Sequence, residues 1–512
     1  MTSPHRNLSV NEAAEQFHVA PTTIHNWVKE GFLSLDEHRR VTWESIRHFQ
    51  SKQAGKVKLQ ARANKLLKDT HDAEKVAQEV KSLIASDADS LSDRYEALLS
   101  ESFKNKEGIF YTSETMVNDM MKGLEIDEST SFLDPCCGTG NFLLKALEMG
   151  VRPENLYGFD TDPNAVMIAR KRIRTVTGVD APNIVCADFL EVCPQLDRTF
   201  DLVFTNPPWG KKLPKKLRMA YAQQVEAGSS ADTCSLFLFA ILSVLQPEGI
   251  MGLLMPESFY NIAVYEDARK AVLGKTILSI KDYGKPFKNM FSAVAIVIQN
   301  KEREKDHSVK CHDHFRSQES FLEVPRCNLN YWTTEEEMET IAMLMRQPYL
   351  SLKDHATWGL GIVTGNNAKR CKRSKRTGLK PVYRGKDLLP GRLKAASLFI
   401  NPKEFPLYQQ MAPLELYQAP QKLIYRFISN KLVFVCDSQQ RYILNSANML
   451  VLDRDFPLTS RQLAEIMNSP LTNWLFRQWF HTHKVLRGDL ELLPIFPDLS
   501  LHRRFDVLDL HR

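Results

Sequence analysis

No two of the nine cysteines in this chain are spaced CxxC, and their number is odd. That excludes a disulfide-built secreted scaffold and a zinc site of the usual ligand spacing. The adjacent Cys136-Cys137 are poor at both bridging and chelation. The sequence therefore predicts no metal and a reducing, cytoplasmic setting. Long hydrophobic runs are also missing. The longest, Leu236 to Leu245, ends in Gln246-Pro247-Glu248-Gly249 and falls short of the ~20 residues a membrane helix needs. Residues Met1 to Asn7 lack the apolar core of a secretory signal, so no membrane partner is expected. There is no internal repeat, no low-complexity tract, no GK[ST] after a glycine turn and no convincing nuclease motif. The charge is nearly balanced, at +6 over 512 residues. What remains is an ordinary globular composition, 43% hydrophobic and 25% charged, long enough for two to four domains.

The first fifty residues read as two short helices around a tight break. Val10, Ala13, Ala14 and Phe17 share one helical face. Pro21 then opens a second helix carrying Ile24, Trp27 and Val28. Thr22, Thr23, His25 and Asn26 fall on the side that a helix-turn-helix turns toward a DNA groove. Arg39-Arg40-Val41-Thr42 resembles the wing of the MerR/excisionase type of winged helix-turn-helix. Residues 1–50 are thus expected to be a DNA-binding module, with Arg39 and Arg40 among its contacts, and a small packing module is the plainer alternative. Residues 51–100 are polar, helix-forming and almost free of glycine and proline, as a helical spacer would be.

Over residues 101–303, apolar strands alternate with helices: Ser131–Asp134, Asn155–Asp160, Asn183–Ala187, Phe200–Thr205, Ile250–Met255, Leu278–Tyr283 and Val294–Gln299. This rhythm predicts an α/β domain with a doubly wound, Rossmann-like sheet. The last two strands have no long helix between them, so a hairpin at the sheet edge is expected. From 304 to 512 the rhythm is lost. Strand-like pieces (Lys422–Ile428, Leu432–Cys436, Met449–Leu452), a helix at Ser460–Asn468 and an aromatic stretch from Trp474 to His483 predict a separate α+β domain.

The chemistry collects at the predicted strand ends. Asn206-Pro207-Pro208-Trp209 follows the fourth strand. Two prolines fix φ and hold Asn206 extended, which aims an amide, a carbonyl and an indole above the strand end. An amide oxygen beside a free carbonyl suits an exocyclic amino group, and an aromatic can stack on the ring that carries it. The first strand ends in Asp134-Pro135-Cys136-Cys137-Gly138-Thr139-Gly140-Asn141-Phe142, a glycine turn with an acid in front of it. The acid disfavours a pyrophosphate and suits a cation. Asp160 ends the second strand, where a ribose partner is expected. Asp188-Phe189 ends the third, as an acceptor and an apolar face for a nucleobase.

In this order the motifs resemble the gamma-class, amino-type N6-adenine DNA methyltransferases of restriction–modification systems. Gly108-Ile109-Phe110-Tyr111-Thr112-Ser113 looks like that family's motif X, with Ser113 in place of a proline. The resemblance implies a class I S-adenosylmethionine-dependent methyltransferase fold followed by a C-terminal target-recognition domain. It makes Thr112, Asp134, Cys136, Gly138, Gly140, Asp160, Asp188 and Phe189 cofactor-site residues, with the turn's cysteines packing rather than reacting. Asn206, Pro207, Pro208 and Trp209 become catalytic, with Phe287, or alternatively Phe291, stacking on the flipped base. The expected reaction is direct methyl transfer from S-adenosyl-L-methionine to adenine N6 of double-stranded DNA, with no covalent nucleophile. Any cognate restriction endonuclease would be a separate protein. The run Lys369, Arg370, Lys372, Arg373, Lys375 and Arg376 puts six cations in eight residues and is the expected phosphate clamp. Arg384, Lys386 and Arg426 are further candidates. Two alternatives keep the fold but change the role: methylation of RNA amino groups or glutamine amides, and a non-catalytic DNA-binding regulator.

Overall fold

The computed structural model describes residues 7–17, 24–25, 27–28, 33–53, 73–85, 91–100, 103–104, 107–287 and 292–507. The expected DNA contacts Thr22, Thr23 and Asn26, and the alternative stacking residue Phe291, lie outside these. The chain divides into two compact units, residues 1–226 with 232–253, and residues 227–231 with 254–512.

In the first unit, Ala13, Ala14, Ile24, Trp27, Leu33, Val41, Ile46 and Phe49 close a small core of their own near the N-terminus. The helices Val10–Gln16 and Trp43–Gln53 contribute to it. Val41 bridges Leu8 and Leu35 in antiparallel fashion, and Arg39 turns that ribbon with φ +61°. His25, Arg39 and Arg40 are exposed.

Five strands follow: β1 (Phe132–Asp134), β2 (Leu156–Asp160), β3 (Ile184–Cys186), β4 (Phe200–Thr205) and β5 (Leu245–Pro256). They pair in the order β3-β2-β1-β4-β5, every pair parallel. The order reverses at β1, so the strands' carboxyl ends flank a switch point, the usual ligand position in such sheets. β1 and β4 are buried almost throughout, as the near-continuous apolar runs of a sheet covered on both faces require. Helix Asn141–Glu148 starts directly after the glycine turn, at Gly140 with φ +88°. A Cβ there would come 3.2 Å from that of Ala169. Only glycine gives both the left-handed start and the close approach of the next crossover helix, Pro163–Thr177.

The second unit holds β6 (Thr276–Asp282), β7 (Ala293–Gln299), β8 (Ser308–Cys311) and β9 (His314–Ser317), in the order β7-β6-β8-β9. β6 and β7 form the expected antiparallel pair, but not at an edge. β8 adds parallel to β6, and β9 adds antiparallel to β8, so the sheet runs past residue 304. These two four-residue strands, of which β8 alternates in burial, leave β6 no exposed ladder. Beyond them a four-stranded sheet takes Ala356–Leu360, Ala447–Leu452, Lys422–Arg426 and Phe434–Asp437 in that order. Helices Ser460–Asn468 and Pro470–Phe480 share its core through Leu463, Met467, Trp474 and Phe476. Among the described residues no helix is long and apolar enough to cross a membrane.

Candidate active site

The carboxyl ends of β1 to β4 open into one cavity of about 470 Å³. Thr112, Asp134, Cys136, Gly138, Asp160, Asp188 and Phe189 all line it, together with Asn206 and Pro208. Gly140, Pro207 and Trp209 do not; Gly140 shapes the turn behind the wall. Phe287 belongs to the second unit, half-buried in the loop after β6.

Three carboxylates dominate the cavity. Asp134 is 1% exposed and accepts from the Cys136 amide at 3.1 Å. Burial pushes its pKa up to about 7. Asp160 accepts from the Gly138 amide at 2.9 Å and the Asp162 amide at 2.8 Å, yet burial still lifts it to about 6. Asp188 caps helix Phe189–Val192 through the Leu190 amide at 3.0 Å and is likewise raised by desolvation. Among the described residues lining the cavity, the one cation is Lys211, held 3.1 Å from Glu107. Buried acids so weakly balanced favour a ligand that brings positive charge. Burial also raises the Cys136 and Cys137 thiols, which keeps them protonated and unreactive.

At the end of β4 the Asn206 side chain donates through Nδ2 to the Phe110 carbonyl at 2.6 Å. Its Oδ1 is buried and has no hydrogen-bond partner among the described residues. A carbonyl can only accept, so this bond fixes which way the amide faces and keeps Oδ1 as the available acceptor. The loop bearing Phe110 is locked to the same turn. The Trp209 amide donates to the Gly108 carbonyl at 3.3 Å, and the Phe110 and Trp209 rings lie 5.4 Å apart. Gly108 has φ +72°, and a Cβ on it would sit 2.6 Å from the Trp209 carbonyl oxygen. Trp209 is consequently only 5% exposed, its indole packed rather than open.

The sequence reading missed one wall. Helix Leu91–Leu98, placed there in the spacer, brings Tyr95 into the cavity lining. The Tyr95 hydroxyl donates to Asp162, which caps the helix after β2. Ser92 meets Thr139 of the glycine turn at 2.6 Å. Only a contact across 47 residues reveals this, although Leu91, Tyr95 and Leu98 do mark an apolar face.

In the second unit Lys369, Lys372, Arg373, Lys375 and Arg376 are exposed, while Arg370 pairs with Glu404 at 3.0 Å. Arg384 and Arg426 are turned inward, Arg384 onto Asp387 at 2.9 Å and Arg426 onto the carbonyls of Gly385 and Leu388. They hold a turn together, and their Nε and Nη2 donors already have acceptors.

Comparison with known proteins places this acid-lined cavity in a known family. The family model N-6 DNA Methylase matches residues 86–358. The chain belongs to this family. A TaqI-like C-terminal specificity domain matches residues 380–495. The Type II methyltransferase M.VspI of Vibrio sp. (strain 343) is 40% identical over 390 residues, covering 74% of this chain and 96% of that relative. Modification methylase CviBIII of Paramecium bursaria Chlorella virus NC1A is 26% identical over 36% of this chain and 48% of its own. Among solved structures, a DrdV–DNA complex aligns with TM-score 0.54 at 13% identity, over 82% of this chain and 60% of that one. The Type IIL restriction-modification enzyme MmeI in complex with DNA gives 0.54 at 10%, over 80% and 71%. These two share the fold. The N-6 DNA methylase described here is therefore an adenine-specific DNA methyltransferase of the restriction–modification kind, with a class I-like fold, a C-terminal specificity domain and S-adenosylmethionine as methyl donor.

Proposed function

We propose that Asn206 is the residue that grips the adenine amino group. The observation carrying this is its buried Oδ1, which lacks a partner while the Phe110 carbonyl holds the other end of the amide. A base turned out of the duplex reaches such a site. Oδ1 and the Pro207 carbonyl accept hydrogen bonds from the two N6 hydrogens, which draws the nitrogen lone pair out of ring conjugation. The gain is orientation and preorganised electrostatics, since an acceptor already aimed needs no reorganisation. Asp134 faces the cationic part of the cofactor, Asp160 the ribose and Asp188 the adenine amino group, with Thr112, Gly138 and Phe189 shaping the cleft. S-adenosylmethionine, when bound, supplies an electrophilic methyl group on a sulfonium.

The same reading gives residues 1–50 a DNA-binding role, residues 101–303 catalysis and residues 304–512 target recognition. Helix Leu91–Leu98 joins the catalytic part. The exposed cations of the Lys369–Arg376 run hold DNA phosphates, Phe287 stacks on the flipped base, and any restriction endonuclease acts as a separate cytosolic protein. The deciding experiment is methyl transfer from labelled S-adenosylmethionine to duplex DNA by purified Asn206→Ala. Loss of transfer with unchanged cofactor affinity and melting temperature supports the assignment, and full activity ends it.

A further inference from the structure

Helix Pro470–Phe480 ends at His481, whose φ is +37°. A left-handed residue commonly closes a helix, but glycine or asparagine is favoured there, because a Cβ crowds the backbone. The cap itself needs only the main chain: the His481 amide donates to the Arg477 carbonyl at 3.2 Å. The imidazole therefore sits in a strained turn that does not require it. The turn is held from two sides. Asn261 Nδ2 donates to the His481 carbonyl at 3.1 Å. Trp332 Nε1 donates to the carbonyls of Arg477 and Gln478, both at 3.2 Å, with its ring 4.7 Å from the imidazole. A strained residue that its surroundings over-determine points to use of its side chain.

The imidazole is about 50% exposed, and its nearest acid, Glu257, stands 3.8 Å away. Around it the surface is basic. Arg477, His483 and Lys484 are exposed and make no ion pair with an acid among the described residues, while Arg487 pairs with Glu491 at 2.7 Å. The bridge partner of Lys484 is Ile428, an apolar side chain left 60% exposed. The nearby acid Asp282 is occupied by the Tyr331 hydroxyl at 2.8 Å. Glu257 and Asn261 follow the carboxyl end of β5, and Asp282 ends β6, so the turn stands by the carboxyl ends of these strands.

We propose that His481, seated on Trp332, contacts the phosphodiester backbone of the DNA substrate, with Arg477 and Lys484 supplying charge beside it. This contact is separate from the Lys369–Arg376 run. It rests on DNA being the substrate but not on the role given to Asn206. The imidazole donates to a phosphate oxygen, and the strained turn holds it ready at the surface.

The test uses the full chain with His481→Gly and, separately, Lys484→Ala, a fluorescent duplex of mixed sequence and S-adenosylmethionine. For His481→Gly the expected result is a melting temperature at or above that of the parent and unchanged cofactor affinity. Duplex binding weakens about tenfold with the salt slope little changed, because burial lowers the imidazole's pKa and a neutral ring donates a hydrogen bond without releasing a counterion. Lys484→Ala also weakens binding, and it makes the salt slope shallower by about one phosphate contact. Methylation at saturating DNA keeps its kcat and shows a raised KM, which separates this contact from failure at Asn206. Unchanged duplex affinity in His481→Gly, or an unchanged salt slope in Lys484→Ala, overturns the proposal. So does weaker binding accompanied by a lower melting temperature, because the turn would then be only structural.

Discussion

The Asn206 side chain donates to the Phe110 carbonyl over 2.6 Å, and this bond ties the turn after β4 to a loop almost a hundred residues earlier. Replacing Asn206 by Asp sets a carboxylate oxygen against that carbonyl. The expected outcome is a fall in kcat of about 100- to 1,000-fold, the range for losing one preorganised polar contact to a transition state. Cofactor affinity, which the proposed roles assign to the carboxylates on the other strands, stays within a few-fold. Single-turnover methylation and equilibrium cofactor binding, measured on one preparation, check both halves.

Gly108 should be nearly intolerant of substitution. A methyl group there meets the Trp209 backbone at 2.6 Å and 2.8 Å and must also adopt a φ of +72°. The predicted cost of Gly108→Ala is about 1–3 kcal/mol, read from the shift in denaturant midpoint. Because the loop must move off the catalytic turn, kcat/KM falls by more than the stability loss alone explains.

Asp134 and Asp160 give a pH prediction with a definite sign. Burial raises both above the ordinary 3.8, to about 7 and about 6. Their stabilising contribution is full below about pH 4 and is lost as pH climbs through those two values. Cofactor-free protein should therefore melt at a lower temperature at about pH 8 than Asp134→Asn does, while the two converge near pH 4. Cofactor affinity runs the other way. A cationic ligand needs the ionised carboxylates, so affinity tightens roughly tenfold or more between about pH 5.5 and about pH 8. Asp134→Asn removes most of that dependence and binds weakly throughout. Calorimetry across this range, with and without cofactor, reads both effects.

Tyr95 joins the spacer helix to the cofactor cavity through its hydroxyl bond to Asp162. Tyr95→Phe keeps the ring against Tyr111, whose centroid is 6.5 Å away, and removes only the hydrogen bond. Cofactor affinity is expected to weaken about fivefold, the scale of one net hydrogen bond near 1 kcal/mol, with kcat little changed. An unaltered dissociation constant would show that this helix covers the site without shaping it.

What was legible in the sequence follows physical range. Strand β4 and helix Ser460–Asn468 match their expected limits, because a buried apolar run stopped by two prolines and a capped amphipathic face are local signals. β5 starts at Leu245, five residues before the expected Ile250. Pro247-Glu248-Gly249 reads as a turn, but here it is a bulge: Glu248 takes φ +65° and the register against β4 shifts. β8 and β9 escaped notice because four-residue alternating strands gain their stability from neighbours. In the site, the acids on successive strand ends were readable from spacing. The packing of Trp209 under Phe110 and the wall formed by Tyr95 were not, since both depend on contacts between distant segments.

Basic residues in the second unit sort by their partners. Lys375 and Arg376 are exposed within the cationic run, so replacing both with alanine removes charge without disturbing the core. If each meets a phosphate, the slope of log affinity for duplex DNA against log salt becomes shallower by about two. The melting temperature should not move. Arg426 is as basic, but it spans the carbonyls of Gly385 and Leu388 at 3.0 Å and 2.6 Å. Arg426→Ala leaves those carbonyls without their donor, so stability falls by about 1–3 kcal/mol while the salt slope stays the same. Titrations at several salt concentrations, run beside thermal melts of both variants, separate a phosphate contact from a structural clasp. The reverse pattern would move DNA contact from the cationic run to the turn that Arg426 holds.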